Sequence, residues 1–110
     1  MCIQFGVHCQ LKEGRMTFEW DETKNAINKR KHNGVSFEIA ARVFLDDKRI
    51  EKYDALNSTV DEERYQAIGM VDEILFVAFT ERTNNHIRII SARLAEQEEI
   101  DEYYKNYDAR

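Results

Sequence analysis

Apolar residues alternate with polar ones near the start of the chain and predict a strand followed by a helix. Phe18 and Trp20 fall on one face of the segment 17–20, as expected for a half-buried strand. Asp21 comes next and is a good N-cap, because its side chain can accept hydrogen bonds from the first N–H groups of a helix. We therefore predict a first helix from Asp21 to about His32, docked through a thin apolar stripe and ended by the Asn-Gly pair that follows.

Apolar residues spaced three and four positions apart then predict a second helix, for which Ser36 is the N-cap. Its core-facing stripe consists of Phe37, Ala40, Ala41 and Phe44. A strand is predicted from Lys48 to Asp54, and a polar loop follows over residues 55–63. Residues 96–107 predict a last helix. The docked stripe of that helix is expected to be Ile100, Tyr103, Tyr104 and Tyr107.

Three runs of apolar, β-branched and aromatic residues within residues 64–93 predict an antiparallel meander, since only short polar turns separate them. The turns are Asp72-Glu73 and Asn84-Asn85. Together the elements indicate an α+β fold built on a single antiparallel sheet. The sheet consists of this three-stranded meander and flanking strands, and it carries two N-terminal helices and one C-terminal helix.

If both turns are two-residue hairpins, the register of the meander brings charged residues together. Arg64 then lies opposite Glu81, and Glu81 lies opposite Arg88. The expected row places one carboxylate between two guanidiniums, each of which can bind a phosphate through paired hydrogen bonds. The same residues also fit a cross-strand ion-pair ladder at a solvated end of the sheet, without a functional role.

Composition and charge narrow the classes of function. A chain of 110 residues is long enough for one domain with a single core, and its formal net charge is −5. Residues 96–110 hold six acidic and two basic side chains and carry most of this charge. A net acidic protein is a poor general binder of nucleic acid, although a local basic strip can still bind RNA. No apolar run suits a membrane span and no secretory signal is present, so we expect a cytoplasmic protein.

Residues 1–15 show no sustained periodicity. We expect them to be a poorly ordered N-terminal extension, or an added edge strand around Ile3 to Val7, before a compact domain over residues 16–110. The cysteine and histidine residues of this extension are Cys2, His8 and Cys9. Two cysteines and one histidine match no closed zinc pattern, so we predict no metal site and no cofactor.

Five ordered segments of the chain resemble one protein family. They are Phe18-Glu19-Trp20-Asp21-Glu22-x-Lys24-Asn25, Lys31-His32-x-Gly34-Val35-Ser36-Phe37-Glu38, Asp61-Glu62-Glu63-Arg64-Tyr65, Thr80-Glu81-Arg82 and Ile87-Arg88-Ile89-Ile90-Ser91-Ala92-Arg93. As an ordered set over residues 16–107, they resemble the BrnT toxins of bacterial and archaeal type II toxin–antitoxin systems.

The resemblance implies a RelE-like fold and a metal-independent endoribonuclease that cleaves RNA and arrests translation. It also implies neutralisation by a small BrnA-like antitoxin with a ribbon-helix-helix DNA-binding region. The complex of toxin and antitoxin would then bind its own promoter DNA. The chain departs from the family in its last helix, which is acidic where the helices of family members are usually basic.

With this resemblance, the candidate catalytic residues are Arg64, Glu81 and Arg88. In metal-free cleavage the ribose 2′-hydroxyl attacks the adjacent phosphate, which requires a base, an acid and cations where negative charge builds up. We expect Arg64 and Arg88 to clamp the scissile phosphate while Glu81 orients them. The candidate RNA-binding residues are Arg82, Arg93, Lys24 and His32.

The acidic last helix also favours a second hypothesis. The domain would then be a non-catalytic module, an inactive toxin homologue that binds a small basic DNA-binding partner through complementary charge. RNA cleavage assays distinguish the two hypotheses, because only the enzyme cleaves RNA.

Overall fold

A computed structural model of the chain describes residues 2–3, 8–13, 15–83 and 85–109. The strands in these ranges are β1 (Cys2–Ile3), β2 (His8–Glu13), β3 (Met16–Asp21), β4 (Ile50–Tyr53), β5 (Tyr65–Val71), β6 (Glu73–Thr83) and β7 (His86–Leu94). The helices are α1 (Glu22–Lys31), α2 (Phe37–Ala41) and α3 (Gln97–Ala109), and a 3₁₀ turn over Arg42–Leu45 follows α2. None of the helices in the described ranges is long and apolar enough to cross a membrane.

The strands form one mixed sheet in the order β1-β2-β3-β7-β6-β5-β4. Strands β5, β6 and β7 pair antiparallel in chain order, and the predicted register holds for part of the β6–β7 pair but not for β5 with β6. The prediction of a single antiparallel sheet is wrong, because β3 and β7 pair in parallel, with Glu19 beside Arg88. A parallel pair needs a long crossover, which the chain from α1 to β6 supplies. The fold is therefore mixed, with helices packed on one sheet.

The N-terminal segment joins this sheet where the structure describes it. Strand β2 pairs antiparallel with β3, and β1 pairs with β2. Residues 2–3 and 8–13 are thus strands of the sheet, while the prediction of a poorly ordered extension over residues 1–15 stays a prediction. The alternative prediction, an edge strand around Ile3 to Val7, falls mostly on residues 4–7, which lie outside the described ranges.

Local side-chain chemistry determines where the two N-terminal helices begin. The Asp21 carboxylate accepts hydrogen bonds from the N–H groups of Thr23 (2.8 Å) and Lys24 (3.2 Å). The Ser36 hydroxyl accepts one from the N–H of Ile39 (3.0 Å). Both predicted N-caps are confirmed. Helix α2 has only five residues and is shorter than predicted. Its predicted stripe is nevertheless buried in the core: Phe37, Ala40, Ala41 and Phe44.

Helix α1 docks through asparagine side chains rather than through the expected apolar stripe, with Asn28 on the sheet and Asn25 on α2. Asn25 and Asn28 are its buried residues, whereas Ile27 is 41% exposed. The Asn28 amide donates to the carbonyl of Ala92 in β7 (2.7 Å) and accepts from the N–H of Ala92 (3.2 Å). Asn28 thus pairs with Ala92 as a strand residue would, at the part of β7 that extends beyond β3. Leaving such buried backbone groups without partners costs about 1–3 kcal/mol each.

Helix α3 packs on the face of the sheet opposite α2, where Tyr103 contacts Ile68 and Ile74. Tyr103 is buried, but Tyr104 and Tyr107 are 47% and 44% exposed. The predicted stripe of four docked residues is therefore only partly right. The apolar patch beneath the helix is small, so it covers the central residue of the stripe and leaves the later ones in solvent.

The pairing within the meander differs from the prediction at the first turn and at irregularities near the second. In the first, Val71 pairs with Glu73, so Asp72 alone makes the turn, with a φ of 62°. In the second, Thr83 pairs with His86 as predicted, and a register shift between Glu81 and Thr83 moves the pairs of residues 79–81 by one residue. A second shift, between Ala78 and Phe79, restores the predicted pairing for the rest of β6. Each change reassigns the cross-strand partners of the charged residues.

Asp46 links α3 to the sheet and makes stability depend on acidic pH. Its carboxylate accepts hydrogen bonds from the Tyr103 hydroxyl (2.6 Å) and from the N–H groups of Met70 and Lys48 (2.9 Å each). Partial burial raises the pKa of Asp46, but these hydrogen bonds outweigh it, and the pKa lies below its ordinary value. The carboxylate therefore stabilises the fold fully above the unfolded-state pKa of about 3.9. This stabilisation is lost as the pH falls through the lower folded-state pKa.

We expect the stability difference between the parent and Asp46→Asn to shrink as the pH falls below about 4. The reason is that the variant lacks the ionised group whose protonation weakens the parent. Urea unfolding of both proteins at a series of pH values measures the difference. A difference that stays constant down to about pH 2 would contradict the linkage.

Candidate active site

The three residues of the predicted catalytic row lie apart. The Arg64 Nε atom pairs with Glu62 Oε1 at 3.1 Å. Arg88 stands opposite Thr80 in the pairing of β6 and β7, and the exposed Glu81 lies one position further along. The predicted row, in which Arg64 lies opposite Glu81 and Glu81 lies opposite Arg88, is therefore wrong. The one-residue turn and the bulge each shift a strand by one position, and side chains on adjacent positions face opposite sides of a sheet.

Four side chains of β3 and β7 form a polar cluster on the face of the sheet opposite α1 and α2. His86 Nε2 lies 2.6 Å from Glu19 Oε1, and His86 Nδ1 lies 2.6 Å from the Thr17 hydroxyl oxygen. Arg88 Nη1 donates to the other carboxylate oxygen of Glu19. The parallel register explains the cluster, because it sets Thr17 beside His86 and Glu19 beside Arg88. We call Thr17, Glu19, His86 and Arg88 the β3–β7 cluster.

The β3–β7 cluster is partly shielded from water. The exposed fractions of the Glu19, Arg88 and His86 side chains are 18%, 20% and 21%. Burial raises the pKa of Glu19, but the hydrogen bonds and charges of His86 and Arg88 outweigh it, and the pKa lies below its ordinary value. Glu19 is thus ionised at neutral pH and holds Arg88 in place. Since a guanidinium has several N–H donors, Arg88 can bind a phosphate while it keeps this ion pair.

Arg93 is held at the other end of β7. Its two terminal nitrogens donate to the two oxygens of Glu99 in α3, at 2.8 and 2.9 Å. Its guanidinium also lies 4.1 Å from the centre of the Phe76 ring. The hydrogen bonds with Glu99 raise the pKa of Arg93. Arg93 follows Arg88 by five positions, roughly 16 Å along a strand, so the two cannot bind the same phosphate.

Lys24 and His32 lie together at a small cleft between α1 and β7. The cleft has a volume of about 180 Å³, and Lys31 and Ser91 also line it. The two lysines produce a positive potential, which favours an anion such as a backbone phosphate of RNA.

Glu81 and Arg82 line a larger groove of about 1040 Å³ between the loop before β5 and the end of β6. The Thr80 hydroxyl joins these two segments by donating to the carbonyl of Glu63 (2.8 Å). The other charged residues that line the groove are all acidic: Asp61, Glu62 and Glu63. The groove therefore has a net negative charge, which opposes the binding of an RNA backbone there.

Sequence reasoning found Arg88 but missed Glu19, His86 and Thr17 as its neighbours. Their alternation with buried residues was visible, since Glu19 lies between Phe18 and Trp20 and must face the other side of the strand. The missing information was the parallel pairing of β3 with β7, which no local pattern reveals.

Within the described ranges, no group of three or more His, Cys, Asp or Glu side chains lies close enough together to hold a metal ion. The side chains of Cys2, His8 and Cys9 are outside this description. The absence of a zinc site among those three residues therefore stays a prediction.

Comparison with known proteins identifies a protein family and a similar solved structure. A profile of the family described as "Ribonuclease toxin, BrnT, of type II toxin-antitoxin system" matches residues 20–99. Among solved structures, the chain is similar to the 1.1 Å crystal structure of the Brucella abortus ribonuclease toxin BrnT, with a TM-score of 0.51 and 30% sequence identity. The alignment covers 71% of this chain and 94% of the Brucella chain. No curated protein matches the sequence.

Proposed function

Because the chain belongs to the BrnT family of ribonuclease toxins of type II toxin–antitoxin systems, we propose that it is a metal-independent endoribonuclease that arrests translation. The observation that carries the proposal is the guanidinium of Arg88, which Glu19 fixes where β3 and β7 meet. A fixed cation of this kind can stabilise the negative charge that builds up on a phosphate under attack by the 2′-hydroxyl. We further propose a RelE-like fold, a toxin domain over residues 16–110 and action in the cytoplasm.

In this proposal Arg88 binds the scissile phosphate. Arg64 precedes β5, which is two strands from β7, and the corresponding distance across a sheet is roughly 10 Å. We therefore propose that Arg64 binds a neighbouring phosphate of the RNA strand and not the phosphate bound by Arg88. An orienting role of Glu81 toward Arg64 stays a prediction, because the observed register sets their side chains on opposite sides of the sheet and Arg64 pairs with Glu62.

The proposed path of the RNA continues toward α1. Lys24 and His32 contact the backbone at the positive cleft between α1 and β7. Arg82 is the cationic residue on the border of the acidic groove and binds RNA only at that border. A contact from Arg93 remains a prediction, since this side chain would first have to leave Glu99.

The proposed partner is a BrnA-like antitoxin with a ribbon-helix-helix region. Two acidic surfaces favour the binding of a basic partner through complementary charge. They are the groove beside Arg82 and the exposed side of α3. The exposed acidic residues of α3 are Glu98, Asp101 and Asp108. Because the DNA-binding region would belong to the antitoxin, the complex rather than the toxin alone is expected to bind promoter DNA.

We expect the purified chain to cleave single-stranded RNA at the same rate with and without EDTA, because the proposed chemistry uses side-chain cations in place of a metal. Gel analysis of a labelled RNA over time measures the rate. The same assay with ribosome-bound RNA shows whether cleavage needs translation. Addition of a purified BrnA-like antitoxin should stop cleavage.

Two results would contradict the proposal in different ways. If cleavage is lost in EDTA and recovers when a divalent cation is added, the metal-independent mechanism is wrong and the enzyme requires a metal ion. Intact RNA under every condition, from a protein that still binds the basic partner, would favour the non-catalytic module.

A further inference from the structure

His86 makes a short hydrogen bond through each of its two ring nitrogens. The proposed binding of phosphate by Arg88 does not explain these two bonds. We propose that His86 is the proton acceptor in RNA cleavage, and that its Nδ1 atom takes the proton of the attacking ribose 2′-hydroxyl. The inference rests on the proposed ribonuclease activity and adds the residue that moves the proton.

Glu19 sets the tautomer of the ring. An ionised carboxylate only accepts hydrogen bonds, so the Nε2 atom, 2.6 Å from Glu19 Oε1, must carry a hydrogen. In the neutral ring Nδ1 then has a free lone pair and accepts from the Thr17 hydroxyl at 2.6 Å. A carboxylate that orients an imidazole toward a hydroxyl is the arrangement by which enzymes activate hydroxyl nucleophiles.

Thr17 marks the position that the ribose hydroxyl would take. Its hydroxyl shows that the Nδ1 atom of His86 is accessible to an oxygen at hydrogen-bond distance. Both side chains are partly exposed, and rotation of the Thr17 side chain frees this position for a substrate. Glu19 bonds His86 with one oxygen and Arg88 with the other, so one carboxylate fixes the acceptor beside the cation.

The proposed step conserves atoms and charge. The 2′-oxygen forms a bond to phosphorus as its proton moves to Nδ1 of His86, and the bond from phosphorus to the 5′-oxygen breaks. Arg88 stabilises the negative charge on the phosphate oxygens during this exchange. The leaving 5′-oxygen takes a proton from solvent, and the imidazolium of His86 later returns its proton to solvent. The products are a 2′,3′-cyclic phosphate and a free 5′-hydroxyl.

The test uses the full chain with two substitutions of His86 and a labelled single-stranded RNA. We expect His86→Gln to lower the cleavage rate by about 10²–10⁴-fold, because its amide can still donate to Glu19 but cannot accept the proton. Free imidazole should restore cleavage to His86→Ala, since it can enter the space that the ring leaves. Imidazole should not restore Arg88→Ala, which is the matched control.

The outcomes separate this inference from the proposed function. Cleavage by His86→Gln at the parental rate, with an active parent, overturns the role of His86 and leaves the ribonuclease in place. A parent that leaves RNA intact overturns both. If His86→Gln does not fold, restoration of His86→Ala by imidazole decides the question, because a purely structural bridge between β3 and β7 would not transfer protons.

Discussion

Replacing Arg88 with alanine is expected to slow RNA cleavage by about 10²–10³-fold, the usual loss when one group that stabilises transition-state charge is removed. The melting temperature should change little, since His86 still bonds Glu19 in the variant and the side chain of Arg88 is not in the apolar core. The initial rate on a labelled RNA, together with thermal unfolding, measures both effects. Arg88→Lys should recover only part of the rate, because an ammonium cannot form paired hydrogen bonds to a phosphate.

Arg42→Ala is the matched control for this experiment. Arg42 is exposed and lies beside Leu45 and Met70, away from the β3–β7 cluster. Its loss removes the same charge but should leave the cleavage rate unchanged. An Arg88→Ala protein that cleaves at the parental rate would remove Arg88 from the mechanism, whereas equal losses in both variants would point to overall charge.

Replacing Phe79 with alanine is expected to lower the free energy of unfolding by about 3–5 kcal/mol. Phe79 is 2% exposed, and its ring meets Phe44 edge-on at 4.9 Å and stacks on Tyr65 at 5.7 Å between ring centres. Truncation creates a cavity between these two rings and removes both aromatic contacts. Urea unfolding followed by circular dichroism measures the loss.

Leu56→Ala provides the comparison, because Leu56 is 95% exposed and its change should stay within about 0.5 kcal/mol. A loss below about 1 kcal/mol for Phe79→Ala would mean that the neighbouring rings close the cavity. The two variants should differ in what they lose. Phe79→Ala should lose stability and Arg88→Ala should lose activity, which distinguishes the role of the core from that of the candidate site.

Helix starts could be predicted from the sequence because they depend on local chemistry. Asp21 and Ser36 bond to N–H groups two or three positions away. The turns were harder. The first hairpin depends on Asp72 alone adopting a left-handed conformation, which a reading based on the commoner two-residue turns excludes. That one residue moved every pair between β5 and β6, whereas between β6 and β7 two irregularities inside the ladder moved only the pairs of residues 79–81.

The candidate site was predictable only in part, for a related reason. Arg88 stands in a segment whose sequence resembles a known family, so it could be selected without knowing its neighbours. Its bond to Glu19 joins residues 69 positions apart, and no periodicity connects such distant strands. The docking of α1 was unpredictable for another reason. From the sequence alone Asn28 would be assigned to the polar surface of the helix, and its partner, the backbone of Ala92 in β7, is known only from the structure.

The separation of Glu19 and Arg88 along the chain also bears on the order of synthesis. A growing polypeptide contains β3 and both N-terminal helices long before β7 leaves the ribosome. Until β7 is added beside β3, the carboxylate of Glu19 lacks both His86 and Arg88, and the proposed phosphate site at Arg88 is absent. Under the proposed function, we therefore expect the growing chain to leave RNA intact until β7 has emerged. Cleavage would begin at the stage when an antitoxin can bind the folded domain.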